Sequence, residues 1–124
     1  LSKSDGVQIV MTAFGSTAAV FAGMGVLAFT IKKDLTSWGP MLFAAVIALL
    51  VASVVNIFVG SSAMMMAISA LATVVFSLFL LYDLKRVVDG GETNYISATL
   101  AIYLDLVNIF QNLLALFGMG SSRD

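Results

Sequence analysis

The sequence has little charge for its length. Of its 124 residues, 6 are Lys or Arg and 7 are Asp or Glu, so 10% are charged, whereas a soluble domain holds about 25%. The mean hydropathy is +1.06, and a chain this small cannot bury that much apolar surface in water. Composition therefore excludes a soluble enzyme domain.

Cysteine and histidine are both absent. Without cysteine there is no disulfide framework, thiol nucleophile or cysteine metal site. Without histidine there is no histidine-ligated zinc and no Ser-His-Asp triad. The net charge of −1 with no basic cluster gives no footprint for nucleic acid. We therefore predict no catalytic residue and no nucleic-acid partner.

What the sequence does contain is long apolar runs. No charged residue lies between Leu35 and Tyr82, and a bilayer crossing needs about 20 apolar residues. The polar turn Gly60-Ser61-Ser62 divides this run into two. Spans that cross lipid must be helices unless they close a barrel, and these runs do not alternate as barrel strands do. We therefore predict an all-α polytopic transmembrane bundle, a single domain over 1–124, with spans 7–30, 39–59, 63–87 and 95–118.

Basic residues predict the orientation of the bundle. The connection after the first span and the one after the third hold four of the six: Lys32, Lys33, Lys85 and Arg86. Lys3 and Arg123 belong to the other side. Because Lys and Arg concentrate in cytoplasmic connections, we expect these two connections in the cytoplasm and both termini outside. A chain that starts outside in this way leads us to expect further spans upstream.

Small residues recur at four-residue spacing in the first two spans. Such stripes let helices approach closely in lipid, so we expect them to be packing faces: Gly15, Ala19 and Gly23 in the first span, and Ala44, Ala48 and Ala52 in the second.

The fourth span carries a polar face. At about 100° per residue, an arc of roughly 120° collects most of its polar side chains: Ser97, Asp105, Asn108, Gln111 and Asn112. A carboxylate within the hydrocarbon costs at least about 2.5–3.5 kcal/mol. Asp105 should therefore have a partner, a water cavity or a proton, with Asn108, Gln111 and Asn112 as a supporting polar face.

Asp83 is the candidate partner of Asp105. The third and fourth spans form an antiparallel hairpin in which these residues are offset by about one helical turn, so the carboxyl groups can meet. Two carboxylates in a low dielectric cannot both ionise cheaply, so we expect them to share a proton and act as a pH sensor. Their oxygens are hard ligands that suit Ca²⁺, although two carboxyls alone make a weak site.

Simpler interpretations stay open for each of these residues. Asp83 can mark the interfacial end of its span, and Asp105 can be a structural hydrogen-bond acceptor. Asn108 and Gln111 can join helices without binding a ligand. Lys85 and Arg86 can be anchors whose side chains reach to the interface.

The last third of the chain resembles a known family. The residues that carry the resemblance are Asp83, then Gly90-Gly91-Glu92-Thr93-Asn94-Tyr95-Ile96, Ala98-Thr99, and Tyr103-Leu104-Asp105-Leu106-Val107-Asn108-Ile109-Phe110. They are similar to the C-terminal signature of the Bax inhibitor (TMBIM) family, and the Gly-Gly-Glu-Thr-Asn-Tyr stretch resembles the bacterial inner-membrane branch that modulates the FtsH protease. Members have about seven spans, so this chain resembles the last four.

The resemblance implies a calcium leak channel in the inner membrane whose two aspartates respond to pH. Asp83 and Asp105 match those positions, with Ca²⁺ as the permeant ion and no other cofactor. A basic residue that joins this pair in some members is not present in this sequence. The alternative is a non-conducting regulator that binds a membrane-anchored AAA protease such as FtsH.

Overall fold

The residues that the computed structural model describes form four α-helices. They are α1 (Lys3–Thr30), α2 (Trp38–Val59), α3 (Ser62–Val88) and α4 (Tyr95–Ser122). The structure describes residues 3–32, 35, 37–90 and 94–122, and the side chains of 6–32, 35, 37–90 and 94–118. Within these residues there is no strand.

Each helix is long and apolar enough to cross a membrane. The qualifying segments are Gly6–Thr30, Trp38–Val59, Ser62–Val88 and Tyr95–Gly118, each within one residue of the predicted bounds at both ends. The prediction of an all-helical, four-span bundle is confirmed. That the chain is one domain stays a prediction.

Turn chemistry explains how α2 ends and α3 begins. Gly60 has φ +71°, a left-handed conformation that glycine adopts without strain, and its N–H donates to the Asn56 carbonyl at 2.7 Å. The N–H of Ser61 donates to Asn56 Oδ1 at 3.1 Å. Ser61 Oγ in turn accepts from the N–H of Met64 at 3.1 Å, which caps α3.

The start of α4 is capped in a similar way. Asn94 Oδ1 accepts from the N–H of Ile96 at 3.1 Å and of Ser97 at 3.2 Å. Gly91, Glu92 and Thr93, which precede this cap, lie outside the described residues.

Helix α3 is the centre of the bundle. It packs against α1, α2 and α4, and α1 also packs against α4, whereas within the described residues α2 packs only against α3. The helix order makes α1 and α3 parallel, so their C-terminal ends lie together at one end of the molecule. We call this the basic end, after its residues Lys32, Lys85 and Arg86.

The interior is thin and the outside is apolar. Among the described side chains, Leu80 and Ile109 are the largest that are fully buried. A hydrophobic cluster at the basic end joins Ala28, Leu35 and Leu81, with Trp38 packed against it. Large apolar side chains such as Phe58, 86% exposed, lie on the surface, which suits a protein whose solvent is lipid.

The predicted packing faces of α1 and α2 are wrong for the helices described here. Gly15, Ala19 and Gly23 are exposed, and apart from the local backbone of α1 and the adjacent residues no atom lies within 4 Å of where a Cβ on either glycine would be. The buried face of α1 instead carries Ala13, Thr17 and Ala28. The stripe places small residues together but does not say which face the neighbouring helices cover.

The prediction for the second stripe is wrong in the same way. Ala44 and Ala48 are exposed and Ala52 is half-buried, whereas Leu42 is the buried residue of α2. The buried side of α2 is therefore rotated away from the small residues, toward Leu42 and Leu49.

The orientation stays a prediction. Of the basic residues behind it, Lys33 and Arg123 lie outside the described residues, and the Lys3 side chain is not described. Lys32, Lys85 and Arg86 do lie together at the basic end, which is the arrangement that the prediction requires.

Candidate functional site: an acidic cleft

An open cleft of about 340 Å³ lies on the side of α3 that faces α2 and α4. Helix α3 forms its floor, and α2 and α4 are its walls. We call it the acidic cleft; its lining residues are Phe43, Val46, Phe76, Phe79, Asp83, Ala101, Leu104, Asp105 and Asn108. Two carboxyl groups thus meet in a largely apolar cleft.

Asp105 is the buried acid of this cleft. It is 6% exposed and is the eleventh residue of α4, which places it about 15 Å along the helix at about 1.5 Å per residue. Its Oδ2 atom is buried and accepts no hydrogen bond from any group in the described residues. A buried acceptor without a donor is costly, so this oxygen requires a proton or a bound cation.

Asp83 supplies the second carboxyl. It is half-buried and lines the same cleft as Asp105, where the two carboxyl groups are close enough to interact electrostatically. Two ionised carboxylates only accept hydrogen bonds, so a hydrogen bond between them requires one proton. Both carboxyls line one cleft, which the sequence-based prediction that they meet requires. Their role as a pH sensor stays a prediction.

Only one of the three supporting polar residues reaches the cleft. Asn108 lines it, and its Nδ2 donates to the Leu104 carbonyl of its own helix at 2.7 Å. Asn112 Nδ2 donates to the Asn108 carbonyl at 2.7 Å, and Gln111 is exposed; neither is a lining residue. The described hydrogen bonds of the side-chain amides on this face therefore lie within α4 and do not join helices.

The donor set of the cleft suits a weakly held cation. Carboxylate and amide oxygens are the ligands that Ca²⁺ prefers, but a tight site uses six to eight of them. Within the described residues, no three acidic side chains come together as a metal-binding cluster. Asp83, Asp105 and Asn108 fit a cation in transit better than a resident metal ion.

An aromatic row on α3 connects the cleft with the basic end. The rings of Phe76 and Phe79 are 6.2 Å apart and those of Phe79 and Tyr82 are 6.4 Å apart. The Arg86 guanidinium lies 5.6 Å from the Tyr82 ring centre, a cation–π contact. Arg86 therefore packs on the protein.

Lys85 is the residue whose position the sequence interpretation missed. It is 7% exposed, so its side chain is covered by protein and is not an exposed anchor. Its Nζ donates to the Ile31 carbonyl at the end of α1 and pairs with Asp89 Oδ1 at 3.2 Å. A backbone carbonyl partner has no sequence signature, which is why the sequence alone does not reveal this contact.

A second groove lies between α1 and α4. Its volume is about 390 Å³ and its lining is apolar: Phe14, Thr17, Ala18, Phe21, Tyr103, Leu106, Val107 and Phe110. The one hydroxyl of α1 in this groove, on Thr17, donates to the Ala13 carbonyl at 2.7 Å. The groove therefore fits an apolar occupant by its shape, and no charged side chain among the described residues lines it.

Known proteins resemble this chain over nearly its whole length. An uncharacterized membrane protein of Vibrio cholerae is 42% identical over 120 residues, which cover 97% of this chain and 54% of that protein. A Campylobacter jejuni protein is 40% identical over 99% of this chain and 53% of its own length. The Escherichia coli K12 protein named modulator of FtsH protease YccA is 38% identical over 94% of this chain and 53% of its own length.

The chain thus spans about half the length of these curated relatives. A family model described as inhibitor of apoptosis-promoting Bax1 matches residues 2–122, which include all the described helices. The chain therefore belongs to the Bax1 inhibitor family, as its Asp83 and Asp105 segments indicate.

Proposed function

We propose that the protein containing this chain is a non-enzymatic inner-membrane regulator of a membrane-anchored AAA protease of the FtsH type. The observation that carries this proposal is the 38% identity to the Escherichia coli modulator of FtsH protease. A second Escherichia coli relative, also 38% identical, is named inner membrane protein YccA. Four membrane-spanning helices suit a partner that is itself embedded in the bilayer.

Reconstitution tests the regulatory role. An FtsH-type protease and a fluorescent membrane substrate are placed in liposomes with or without the full-length protein, and an unrelated four-helix membrane protein serves as the control. We expect the full-length protein, but not the control protein, to change the rate of substrate degradation and to co-purify with the protease. Equal rates together with no co-purification would contradict the proposal.

A second candidate function is favoured by the acidic cleft. The meeting of Asp83 and Asp105 supports a cation route controlled by protonation. When the pair holds a proton, one hydrogen bond joins α3 to α4. When both carboxyls ionise, the two charges repel; unit charges at a separation of about 4 Å repel by roughly 4 kcal/mol at an effective dielectric constant of about 20. The helices then separate and leave an acidic path that attracts a cation such as Ca²⁺.

Ion flux tests this second function. Ca²⁺ entry into liposomes is measured from about pH 5 to pH 8 for the full-length protein and for Asp83→Asn and Asp105→Asn, because coupled carboxyls titrate as a pair. Gln111→Ala is the control, since Gln111 is exposed on the same helix and lies outside the cleft lining. We expect flux that rises with pH, and loss of that pH response in both aspartate variants but not in the control. No flux at any pH would exclude the function.

A further inference from the structure

Lys85 is a buried cation that neither proposed function uses. Its side chain is 8% exposed, whereas that of its partner Asp89 is 49% exposed. Its Nζ donates both to Asp89 Oδ1 and to the Ile31 carbonyl. We call these two contacts the Lys85 bridge. Burying an ammonium costs free energy unless it is paired. The bridge therefore indicates a structural role that an exposed lysine would not have.

The bridge joins the ends of two parallel helices. Helix α1 ends at Thr30 and α3 ends at Val88, so two helix C-termini lie side by side. Each C-terminus carries a partial negative charge of about half a unit, and the two repel. The Lys85 ammonium lies in the last turn of α3 and bonds a carbonyl at the end of α1, so it offsets both.

The start of α2 also lies at the basic end. Leu35, in the connection from α1 to α2, is 2% exposed and packs with Ala28 of α1 and Leu81 of α3. Leu81 lies one turn before Lys85 on the same face of α3, and Trp38 of α2 packs against this cluster. Because α2 packs only on α3 among the described helices, this cluster is one of the contacts that hold α2 in place.

Lys85 and Asp83 lie on opposite faces of α3. Two residues along a helix correspond to about 200° of rotation, and the contacts agree: Asp83 lines the acidic cleft while Lys85 bonds the end of α1. Fixing Lys85 to α1 therefore fixes the rotation of α3 that turns Asp83 toward α4. It also holds α2, whose Phe43 and Val46 form one wall of the cleft.

We propose that Lys85 is the positioning residue of the acidic cleft, holding α3 and the α2 wall so that Asp83 and Asp105 stay together. The proposal deepens the second candidate function. Its test measures helix separation and not ion flux, so the two can fail separately.

Spin-label distances test the proposal. Labels on cysteines at Phe43 and Leu104, on opposite walls of the cleft, report the separation of α2 from α4 by pulsed electron paramagnetic resonance in nanodiscs. This chain holds no cysteine of its own. Lys85→Met is compared with Lys32→Met, a matched control at an exposed lysine of the same end, and with Lys85→Arg.

We expect Lys85→Met to lengthen and broaden the distance distribution by a few ångström. Lys32→Met should leave it unchanged, and Lys85→Arg should restore it because a guanidinium also donates to the Ile31 carbonyl. Lys85→Gln, which keeps an N–H donor on a side chain one bond shorter and loses the charge, should show a smaller change in the same direction. Circular dichroism checks that each variant remains helical. An unchanged distribution in Lys85→Met or Lys85→Gln protein that remains helical would overturn the proposal.

Discussion

Gly39 allows α2 to lie directly against the Tyr82 side chain of α3. A Cβ at position 39 would lie 2.8 Å from Tyr82 Oη and 3.2 Å from its Cζ, which is closer than van der Waals contact allows. Tyr82 is also held by Phe79 and by Arg86, so its ring has little freedom to move away. Among the described helices, the small residue that matters for packing is therefore Gly39, and not the stripe on α1.

We predict that Gly39→Ala destabilises the protein relative to Gly15→Ala by about 1–2 kcal/mol, because adding a methylene-sized group to a packed contact costs about 1–3 kcal/mol. Gly15 is the matched control, since apart from the local backbone of α1 and the adjacent residues nothing lies within 4 Å of its Cβ position. Thermal unfolding in detergent measures the difference. Tyr82→Phe removes the hydroxyl that the new Cβ meets and should restore part of the loss; equal stability of Gly39→Ala and Gly15→Ala would show that the contact is unimportant.

At the scale of the helices, the sequence predicts lengths better than faces. The charge-free run and the Gly60 turn locate α2 and α3 to within a residue, because a bilayer imposes both length and polarity. The packing faces could not be predicted in the same way. A helix that is apolar on all sides gives no signal of which side meets protein and which meets lipid, so Ala48 and Leu42 look equally suitable until the neighbouring helix is known.

Only part of the acidic cleft could likewise be predicted from the sequence. An antiparallel hairpin brings Asp83 near Asp105 by residue counting alone. The α2 wall formed by Phe43 and Val46 has no sequence signature, because the connection from α1 allows α2 to pack on either side of α3. Lys85 is a further case, since its partner is the backbone of Ile31.

We predict that the two ends of the helices lie on opposite sides of the membrane, with the basic end in the cytoplasm, as Lys and Arg placement requires. Single cysteines at Lys32 and Ser62, both exposed at opposite ends of the bundle, should react with an impermeant maleimide from opposite sides. Labelling is measured in intact cells and in inverted vesicles. Reaction of both cysteines from the same side would contradict the four-span arrangement.

At the scale of the whole molecule, the acidic cleft is assembled from three helices. Asp83 comes from α3 and Asp105 from α4, and α2 closes one side. This chain covers about half of its curated relatives, and the cleft is formed within that half. The proposed cation route needs Asp83 and Asp105 to behave as one unit.

The most direct test of that claim is a double-mutant cycle. Unfolding free energies are measured in nanodiscs near neutral pH for the full-length protein, Asp83→Asn, Asp105→Asn and the double variant. Either asparagine supplies an amide donor to the remaining carboxylate, as a shared proton would, so each single change should relieve the pair and the second should add little. The account predicts a coupling free energy of about 1 kcal/mol or more, whereas effects that add within about 0.5 kcal/mol would show that Asp83 and Asp105 act independently.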